Sequence, residues 1–274
     1  MIHLGLIGYP LEHSLSPQIH SAAFQSCGLQ GDYSLFPIPP DNKQGLEDLF
    51  ARVRSGEIAG LNVTIPHKQT VIEFLDELTP TAKAIGAVNA IFLRDYKLIG
   101  DNTDAPGFLS DLKKFIGNRK LETGKSALVL GAGGSARAVI YALINDGWNV
   151  VIAARRIEQA QELSSQSENV KVGDLNFQTF EPSKFQLIVN TTPVGMKPNT
   201  YQSPLPEKIK LHSSTFIYDL VYNPRETKLI TDARAQGLHA ATALGMLIEQ
   251  AALSFEIWTG HNPPRDILFR SINQ

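Results

Sequence analysis

The chain has 274 residues and a formal net charge of −2. This length predicts two domains, since domains commonly contain about 100–200 residues. The composition is that of an ordinary globular protein, and without a basic excess it argues against binding of nucleic acid. The single cysteine, Cys27, excludes an intrachain disulfide and favours a cytoplasmic location. No apolar run approaches the roughly 20 residues of a membrane helix, so we expect no membrane partner.

Apolar strands alternate with helical segments in the first hundred residues. The predicted elements are strands at 4–7, 33–38 and 60–65, helices at 18–26, 45–53 and 68–78, and a hairpin of 88–93 with 96–100. Arg94 and Asp95 are expected at the turn of the hairpin. This alternation is typical of an α/β domain whose sheet is mainly parallel.

A predicted helix at 104–116 leads into a second series of alternating elements. Its predicted strands and helices are 127–130, 136–144, 150–153, 157–165, 187–190 and 216–220. A long helix at 246–259, apolar along one face, is expected to return to the first domain. The sequence therefore predicts an α/β fold with a substrate domain at 1–104, completed by about 240–274. A Rossmann-like cofactor domain is predicted at 105–239, with a cleft between the two.

A glycine-rich turn opens the second series between a strand and a helix. It reads Gly131-Ala132-Gly133-Gly134-Ser135-Ala136 and is typical of a dinucleotide-binding βαβ unit. Gly131 would allow the tight turn, and Gly133 would let a pyrophosphate approach the backbone. The N–H groups and partial positive charge of the helix N-terminus suit phosphate.

The end of the second strand of this unit indicates which dinucleotide is bound. An acidic residue there would bind the ribose 2′-hydroxyl of NAD, but the strand ends in Ala154-Arg155-Arg156. Two guanidinium groups suit a 2′-phosphate, so NADP is the predicted cofactor. Thr191 and Leu220, at the ends of the next two strands, are further predicted cofactor contacts.

Polar residues follow several apolar strands of the first domain. They form the segments Ser-Leu-Ser-Pro at 14–17, Asn-Val-Thr-Ile-Pro-His-Lys at 62–68, Gly-Ala-Val-Asn at 86–89 and Asp-Asn-Thr-Asp at 101–104. Hydroxyl, amide, ammonium and carboxylate groups at strand ends suit a polyhydroxylated acid as small-molecule substrate. Each group also has a structural explanation as a turn former, a helix cap or a solvated side chain.

Together with the glycine-rich turn and Gly-Met-Leu-Ile-Glu-Gln at 245–250, these motifs resemble the shikimate dehydrogenase family. They occur in the order typical of that family and span residues 4 to about 260. The resemblance implies two α/β domains and an oxidoreductase that reduces 3-dehydroshikimate to shikimate with NADPH. This reaction belongs to chorismate and aromatic amino-acid biosynthesis.

The resemblance also implies roles for individual residues. Lys68 and Asp104 would be the catalytic pair, with Lys68 stabilising the charge that develops on the substrate oxygen. Ala243 would lie at the nicotinamide, where relatives commonly have glycine, and Pro80 replaces an acidic residue common in the family. Asn62 would support the site. The implied substrate-binding residues are Ser14, Ser16, Thr64, Asn89, Tyr222 and Gln250.

Three alternatives remain open at this point. One is a quinate/shikimate dehydrogenase that uses NAD, and another is a catalytically silent NADP-binding regulator with the same fold. The third is a different two-domain NADP dehydrogenase, such as a folate-type enzyme. The sequence does not fix the oligomeric state and leaves a homodimer open. No metal is predicted, because His67 has no other histidine at metal-ligand spacing.

Overall fold

The computed structural model describes residues 1–122, 124–165, 167–175, 177, 180–207 and 209–273. The chain divides into two units, of which the first combines Met1–Gly107 with Met246–Gln274 and the second is Phe108–Gly245. Each unit is built around its own six-stranded sheet. Across the described residues, every helix is too short or too polar to traverse a bilayer.

The first unit begins with alternating strands and helices. Its elements are β1 (Ile2–Gly8), α1 (Ser16–Ser26), β2 (Gly31–Pro37), α2 (Lys43–Arg54), β3 (Gly60–Val63), a 3-10 turn (Thr70–Phe74), β4 (Glu77–Leu78), α3 (Pro80–Ile85), β5 (Ala90–Arg94) and β6 (Lys97–Asp101). Helix α4 (Asp104–Ile116) contains the boundary between the first and second units, and helix α8 (Leu244–Thr259) contains the boundary at which the chain returns to the first. The chain closes with α9 (Arg265–Ser271).

The sheet of the first unit has the order β2-β1-β3-β5-β6-β4. Strands β1, β2 and β3 are parallel, whereas β5 is antiparallel to both β3 and β6. Because β5 runs in the opposite direction, its first residues lie at the same edge as the last residues of β3 and β6. The register pairs Asn62 with Ala90 and Ala90 with Asp101. The polar segments that follow β3, precede β5 and follow β6 therefore meet at one edge.

The amphipathic helix α2 illustrates how the core of this unit forms. Its apolar residues Leu46, Leu49, Phe50 and Val53 recur at helical spacing, and all four are buried. The N-terminus is capped by Asn42, whose side-chain oxygen accepts a hydrogen bond from the Gly45 amide at 2.9 Å. The buried face packs into a core with the aliphatic residues of the sheet.

Two sequence predictions in the first unit are wrong. The helix expected at 68–78 is only a short 3-10 turn, because the chain then pairs with β6. The Asp76 amide donates to the Leu98 carbonyl at 3.0 Å, and the Thr79 amide donates to the Gly100 carbonyl at 2.9 Å. At the β5–β6 hairpin, the residues with positive φ are Asp95 and Tyr96, one position later than predicted.

The second unit alternates strands and helices throughout. Its elements are β7 (Ser126–Leu130), α5 (Gly134–Asn145), β8 (Asn149–Ala153), α6 (Ile157–Ser164), β9 (Val170–Gly173), a 3-10 turn (Pro182–Lys184), β10 (Leu187–Asn190), β11 (Phe216–Asp219), α7 (Lys228–Ala235) and β12 (His239–Thr242). Three of these elements were not predicted from the sequence: β9, α7 and β12.

The sheet of the second unit is parallel throughout and has the order β12-β11-β10-β7-β8-β9. This is the strand order of a dinucleotide-binding Rossmann fold, and the order reverses between β7 and β10. Ligands of such sheets bind beyond the carboxyl ends of the strands at that reversal. The α/β class and the Rossmann-like second half predicted from the sequence are confirmed.

Candidate active site and nucleotide site

A buried ion pair marks the polar edge of the first sheet. Lys68 follows β3 and Asp104 begins α4, and the Lys68 ammonium lies 2.5 Å from Oδ2 of Asp104. The two side chains are only 11% and 6% exposed. Taking two charges out of water is costly, and such a pair is weak evidence for stability. A charged pair kept at that cost is instead a candidate for the chemistry of the site.

Asn89 connects this ion pair to helix α8. Its side-chain amide donates to Oδ1 of Asp104 at 3.0 Å and to Oε1 of Gln250 at 3.4 Å. Its side-chain oxygen accepts from the Thr103 amide at 2.6 Å. The structure therefore brings together Lys68, Asn89, Asp104 and Gln250 in one cluster. The cluster contains an ammonium, a carboxylate and two amides, which are groups that recognise hydroxyls and carbonyl oxygens.

The other three predicted substrate residues of this unit lie in the segments after β1 and β3. The amide of Ser16 donates to the Ser14 hydroxyl oxygen at 3.3 Å at the start of α1. The Thr64 amide donates to the Ile7 carbonyl at 2.8 Å, which fixes the segment after β3 beside the end of β1. Gly8 is required there, since a Cβ on it would lie 2.3 Å from Cγ2 of Thr64.

A layer of buried polar residues lies beneath the cluster, and sequence reasoning missed most of it. The Tyr33 hydroxyl donates to Oδ1 of Asn62 at 2.8 Å. The Asn62 amide donates to the Asn89 carbonyl and to the Ser254 hydroxyl, both at 3.0 Å. Ser254 lies one helical turn after Gln250 on α8, so its spacing from that residue was the available signal. Tyr33 carried no signal in the sequence.

His20 packs beneath the same layer. Its ring stacks on Tyr33 with centroids 4.1 Å apart, and neither ring nitrogen has a hydrogen-bond partner among the described residues. Burial lowers the pKa of His20 from 6.5 to about 3, and the nearby Asn62 amide opposes part of that shift. His20 is therefore neutral at physiological pH.

The glycine-rich turn of the second unit has the geometry that a dinucleotide requires. Gly131 has a φ of +111°, and a Cβ on it would lie 2.6 Å from the Thr191 hydroxyl oxygen. At Gly133, the N-cap of α5, a Cβ would meet nothing within 4 Å and would extend into open space. Gly134 and Ser135 form the first turn of α5, and Ala132 is buried. The space beside Gly133 and the helix N-terminus fit a pyrophosphate.

The residues predicted to bind the adenosine part of the cofactor directly follow β8. Ala154 is buried, whereas Arg155 and Arg156 are exposed just before α6. Exposed guanidinium groups at this place can close on a ribose phosphate, so the residues present fit NADP. The hydroxyl of Thr191, after β10, donates to the Leu130 carbonyl at 2.7 Å and so holds its loop against the glycine turn.

The remaining predicted residues lie after β11 and β12. The Leu220 amide donates to the Asn190 carbonyl at 2.9 Å, and Tyr222 is half-buried two residues later. Ala243 is buried, and its amide donates to the Asp219 carbonyl at 2.8 Å. Its φ is not positive, so the alanine is accommodated without backbone strain.

Pro80, which departs from the family pattern, has a structural role at the first turn of α3. The helix is capped by Thr79, whose hydroxyl accepts from the Ala82 amide at 3.2 Å. Proline suits this position because its missing N–H would have no partner inside the helix. Within the described residues, no group of three or more His, Cys, Asp or Glu side chains could hold a metal ion.

Three family models match successive parts of the chain. The model described as shikimate dehydrogenase substrate binding domain matches residues 6–91. The model described as shikimate / quinate 5-dehydrogenase matches residues 115–192. The model described as shikimate 5'-dehydrogenase C-terminal domain matches residues 244–268.

Individual relatives match over nearly the whole chain. Shikimate dehydrogenase (NADP(+)) from Carboxydothermus hydrogenoformans is 40% identical over 272 residues, which are 98% of this chain and 95% of the relative. The crystal structure of a Thermus thermophilus shikimate 5-dehydrogenase in complex with NADP(H) and shikimate matches with a TM-score of 0.88 and 36% identity, covering 100% and 99% of the two chains. A quinate dehydrogenase from Corynebacterium glutamicum in complex with NAD also has a TM-score of 0.88, at 30% identity and with 99% and 98% of the chains covered.

Proposed function

The chain belongs to the shikimate dehydrogenase family, and from that premise we propose that it catalyses the reversible NADPH-dependent reduction of 3-dehydroshikimate to shikimate. The observation that carries the proposal is the buried pair of Lys68 and Asp104, joined through Asn89 to Gln250. The reaction is a step in the biosynthesis of chorismate and the aromatic amino acids. We infer a soluble enzyme that acts in the cytoplasm.

The chemistry requires charge stabilisation at the substrate's C3 oxygen. NADPH supplies the hydride when bound. As the carbonyl carbon is reduced, negative charge grows on its oxygen, and the Lys68 ammonium is the cation available in the cluster to stabilise it. The ammonium also carries the proton that the new hydroxyl needs. Because Lys68 is buried, this attraction is stronger than it would be in water.

Asp104 has two roles in this proposal. Its Oδ2 holds the Lys68 ammonium in place, while its Oδ1 is held by the Asn89 amide. Orientation of a reacting group before the reaction removes an entropic part of the barrier. A carboxylate beside the ammonium also accepts a hydrogen bond from the substrate hydroxyl in the reverse direction.

Substrate binding is assigned to hydroxyl and amide groups. Ser14 and Ser16 would bind the carboxylate of the substrate, while Thr64, Asn89, Tyr222 and Gln250 would bind its hydroxyls. Hydroxyl and amide donors in a partly buried site discriminate strongly against analogues that leave them unpaired. The exposed pair of Arg155 and Arg156 supports NADP over NAD.

A comparison of four substrate and cofactor combinations tests the proposal. We expect kcat/KM to be highest for shikimate with NADP, and much lower when quinate replaces shikimate or NAD replaces NADP. A higher kcat/KM with quinate and NAD would identify a quinate dehydrogenase, the activity named for the Corynebacterium glutamicum protein. Tight NADPH binding without turnover of either substrate would favour a regulator with the same fold.

A further inference from the structure

A second buried carboxylate lies outside the machinery described above. Asp219 is the last residue of β11 and is fully buried. Its Oδ1 accepts hydrogen bonds from the Asn190 side-chain amide at 2.8 Å and from the Val221 backbone amide at 3.0 Å. Its Oδ2 accepts from the Thr227 hydroxyl at 2.6 Å. Asn190 and Thr227 are also fully buried.

Asn190 extends this network to the loop after β10. Its side-chain oxygen accepts from the amide of Thr192 at 3.0 Å and from the hydroxyl of that residue at 2.7 Å. Its side-chain amide also reaches the Val194 carbonyl at 3.3 Å. Asn190 and Asp219 are direct partners in the register of the parallel pair β10–β11. One hydrogen bond between two side chains therefore connects the loops that follow neighbouring strands.

Thr227 fixes the far end of the second loop. Besides donating to Asp219, its hydroxyl accepts from the Ile230 amide at 3.3 Å and caps α7. Asp219 thus holds both ends of the segment 220–227, through Val221 at one end and Thr227 at the other. Closing a loop at both ends removes conformations that it would otherwise sample. This segment carries Leu220 and Tyr222, and the neighbouring loop carries Thr191.

Burying the carboxylate of Asp219 has a desolvation cost that a purely structural role would not require. Burial raises the pKa of Asp219 from 3.8 to about 6, and the three hydrogen bonds oppose that shift. A neutral asparagine at this position would be buried at a smaller desolvation cost. A single carboxylate, however, can accept several hydrogen bonds from different directions at once.

We propose that Asp219 is a positioning residue that fixes the two ligand-binding loops of the second unit relative to each other. It acts through Asn190 on the loop at 191–195 and through Thr227 on the loop at 220–227. The part that concerns Tyr222 rests on the proposed function, whereas the part that concerns the nucleotide does not. Loss of the carboxylate would therefore weaken NADPH binding and substrate binding together. The reacting groups in the first unit would remain intact.

The test compares Asp219→Leu with Asp219→Asn and with Asp232→Leu. Leucine leaves the donors of Asn190, Val221 and Thr227 unpaired, whereas asparagine keeps one acceptor oxygen. Asp232 is a half-buried carboxylate on α7 that pairs with Lys228 rather than with either loop, and it serves as the matched control. We expect Asp219→Leu to raise the Kd for NADPH and the KM for shikimate by roughly tenfold or more, since hydrogen bonds to charged groups are the stronger ones. Asp219→Asn should raise both by a smaller factor, and Asp232→Leu should change neither.

Hydrogen exchange of the backbone amides separates positioning from a general loss of stability. Asp219→Leu should speed exchange in both 191–195 and 220–227, while the amides of β7 and α5 keep their protection. Faster exchange confined to 220–227, or unchanged Kd and KM in Asp219→Leu, would overturn the proposal. If Asp219→Leu does not fold, Thr227→Val and Thr227→Ser test the link to the second loop alone, because only serine retains the hydroxyl that donates to Asp219. Thr227→Val should then speed exchange in 220–227 and leave 191–195 protected, and unchanged exchange in 220–227 would overturn the proposal.

Binding and exchange are read without turnover, so they also separate this inference from the proposed function. An Asp219→Leu variant with weaker NADPH binding and two loosened loops would support the positioning role even if shikimate were not a substrate. Normal NADPH binding in that variant would refute the positioning role even if shikimate were oxidised at the wild-type rate.

Discussion

Replacing Lys68 with methionine tests the catalytic assignment most sharply, because the side chain stays unbranched and of similar length while it loses the ammonium group. Removal of one preorganised electrostatic group from an active site commonly costs about 2.7–4 kcal/mol of transition-state stabilisation. The Lys68 side chain is 11% exposed and the Asp104 side chain is 6% exposed, so solvent screens their charges little and does not much reduce this value. We therefore expect kcat to fall about 10²- to 10³-fold, while KM for shikimate changes by less than about threefold.

Initial rates of NADPH formation at several shikimate concentrations separate the two parameters. Lys97→Met is the matched control, since Lys97 also pairs with a carboxylate in the first unit but is 55% exposed. It should leave kcat unchanged and alter stability little, because exposed ion pairs contribute little. Circular dichroism must first establish that Lys68→Met is folded. A folded variant with normal kcat and a raised KM would refute the reasoning and assign Lys68 to substrate binding.

Three further predictions follow from the second unit and the buried histidine. Joint replacement of Arg155 and Arg156 by alanine should raise KM for NADP about tenfold or more and change KM for NAD little, because two charge-assisted contacts are lost; equal effects on the two cofactors in steady-state rates would contradict the assignment. The pKa of His20 is held at about 3 against 6.5 when unfolded, so the stability it contributes is present above pH 6.5 and is lost as pH falls. His20→Phe should remove about 2 kcal/mol of acid destabilisation between pH 6.5 and about pH 5 in denaturant titrations, and an unchanged pH dependence would disprove this. The pKa of Asp219 is raised from 3.8 to about 6, so its contribution is present below pH 3.8 and is lost as pH rises through 6; Asp219→Asn should gain up to about 3 kcal/mol relative to wild type between about pH 4 and pH 7, and a constant difference would count against the shift.

The cofactor-binding elements of the second unit could be predicted because their sequence motifs are continuous along the chain. The strand, glycine turn and helix around Gly131–Ala136 follow one another along the chain, and each residue type has a direct steric reason. The arginine pair at 155–156 could be predicted as a cofactor contact once the end of the next strand of this βαβ unit had been located. In contrast, β9 and β12 are short edge strands whose pairing partners lie elsewhere in the sequence, so local periodicity gave no warning of them.

The failures in the first half come from contacts between distant residues. The segment 68–78 has a helical pattern, but the backbone of Asp76 and Thr79 finds partners on β6. Lys68 and Asp104 were identified through the family resemblance, since nothing in their spacing indicates a contact. The sheet brings them together, because antiparallel β5 places Asn89 at the edge where β3 and β6 end.

The supporting layer was the hardest part to foresee. The Asn62 amide reaches Ser254 across 192 positions of the sequence, and such a partner has no local signature. Likewise, Asp219 reads in the sequence only as a residue near the end of the predicted apolar strand 216–220. Its importance appears only when the register places it beside Asn190.

The most direct test of the account is an absorbance assay of the purified chain with shikimate and NADP at alkaline pH, where oxidation of the alcohol is favoured. We predict formation of NADPH that depends on both shikimate and NADP and that Lys68→Met nearly abolishes. No NADPH formation by folded protein that binds NADP would contradict the proposed activity.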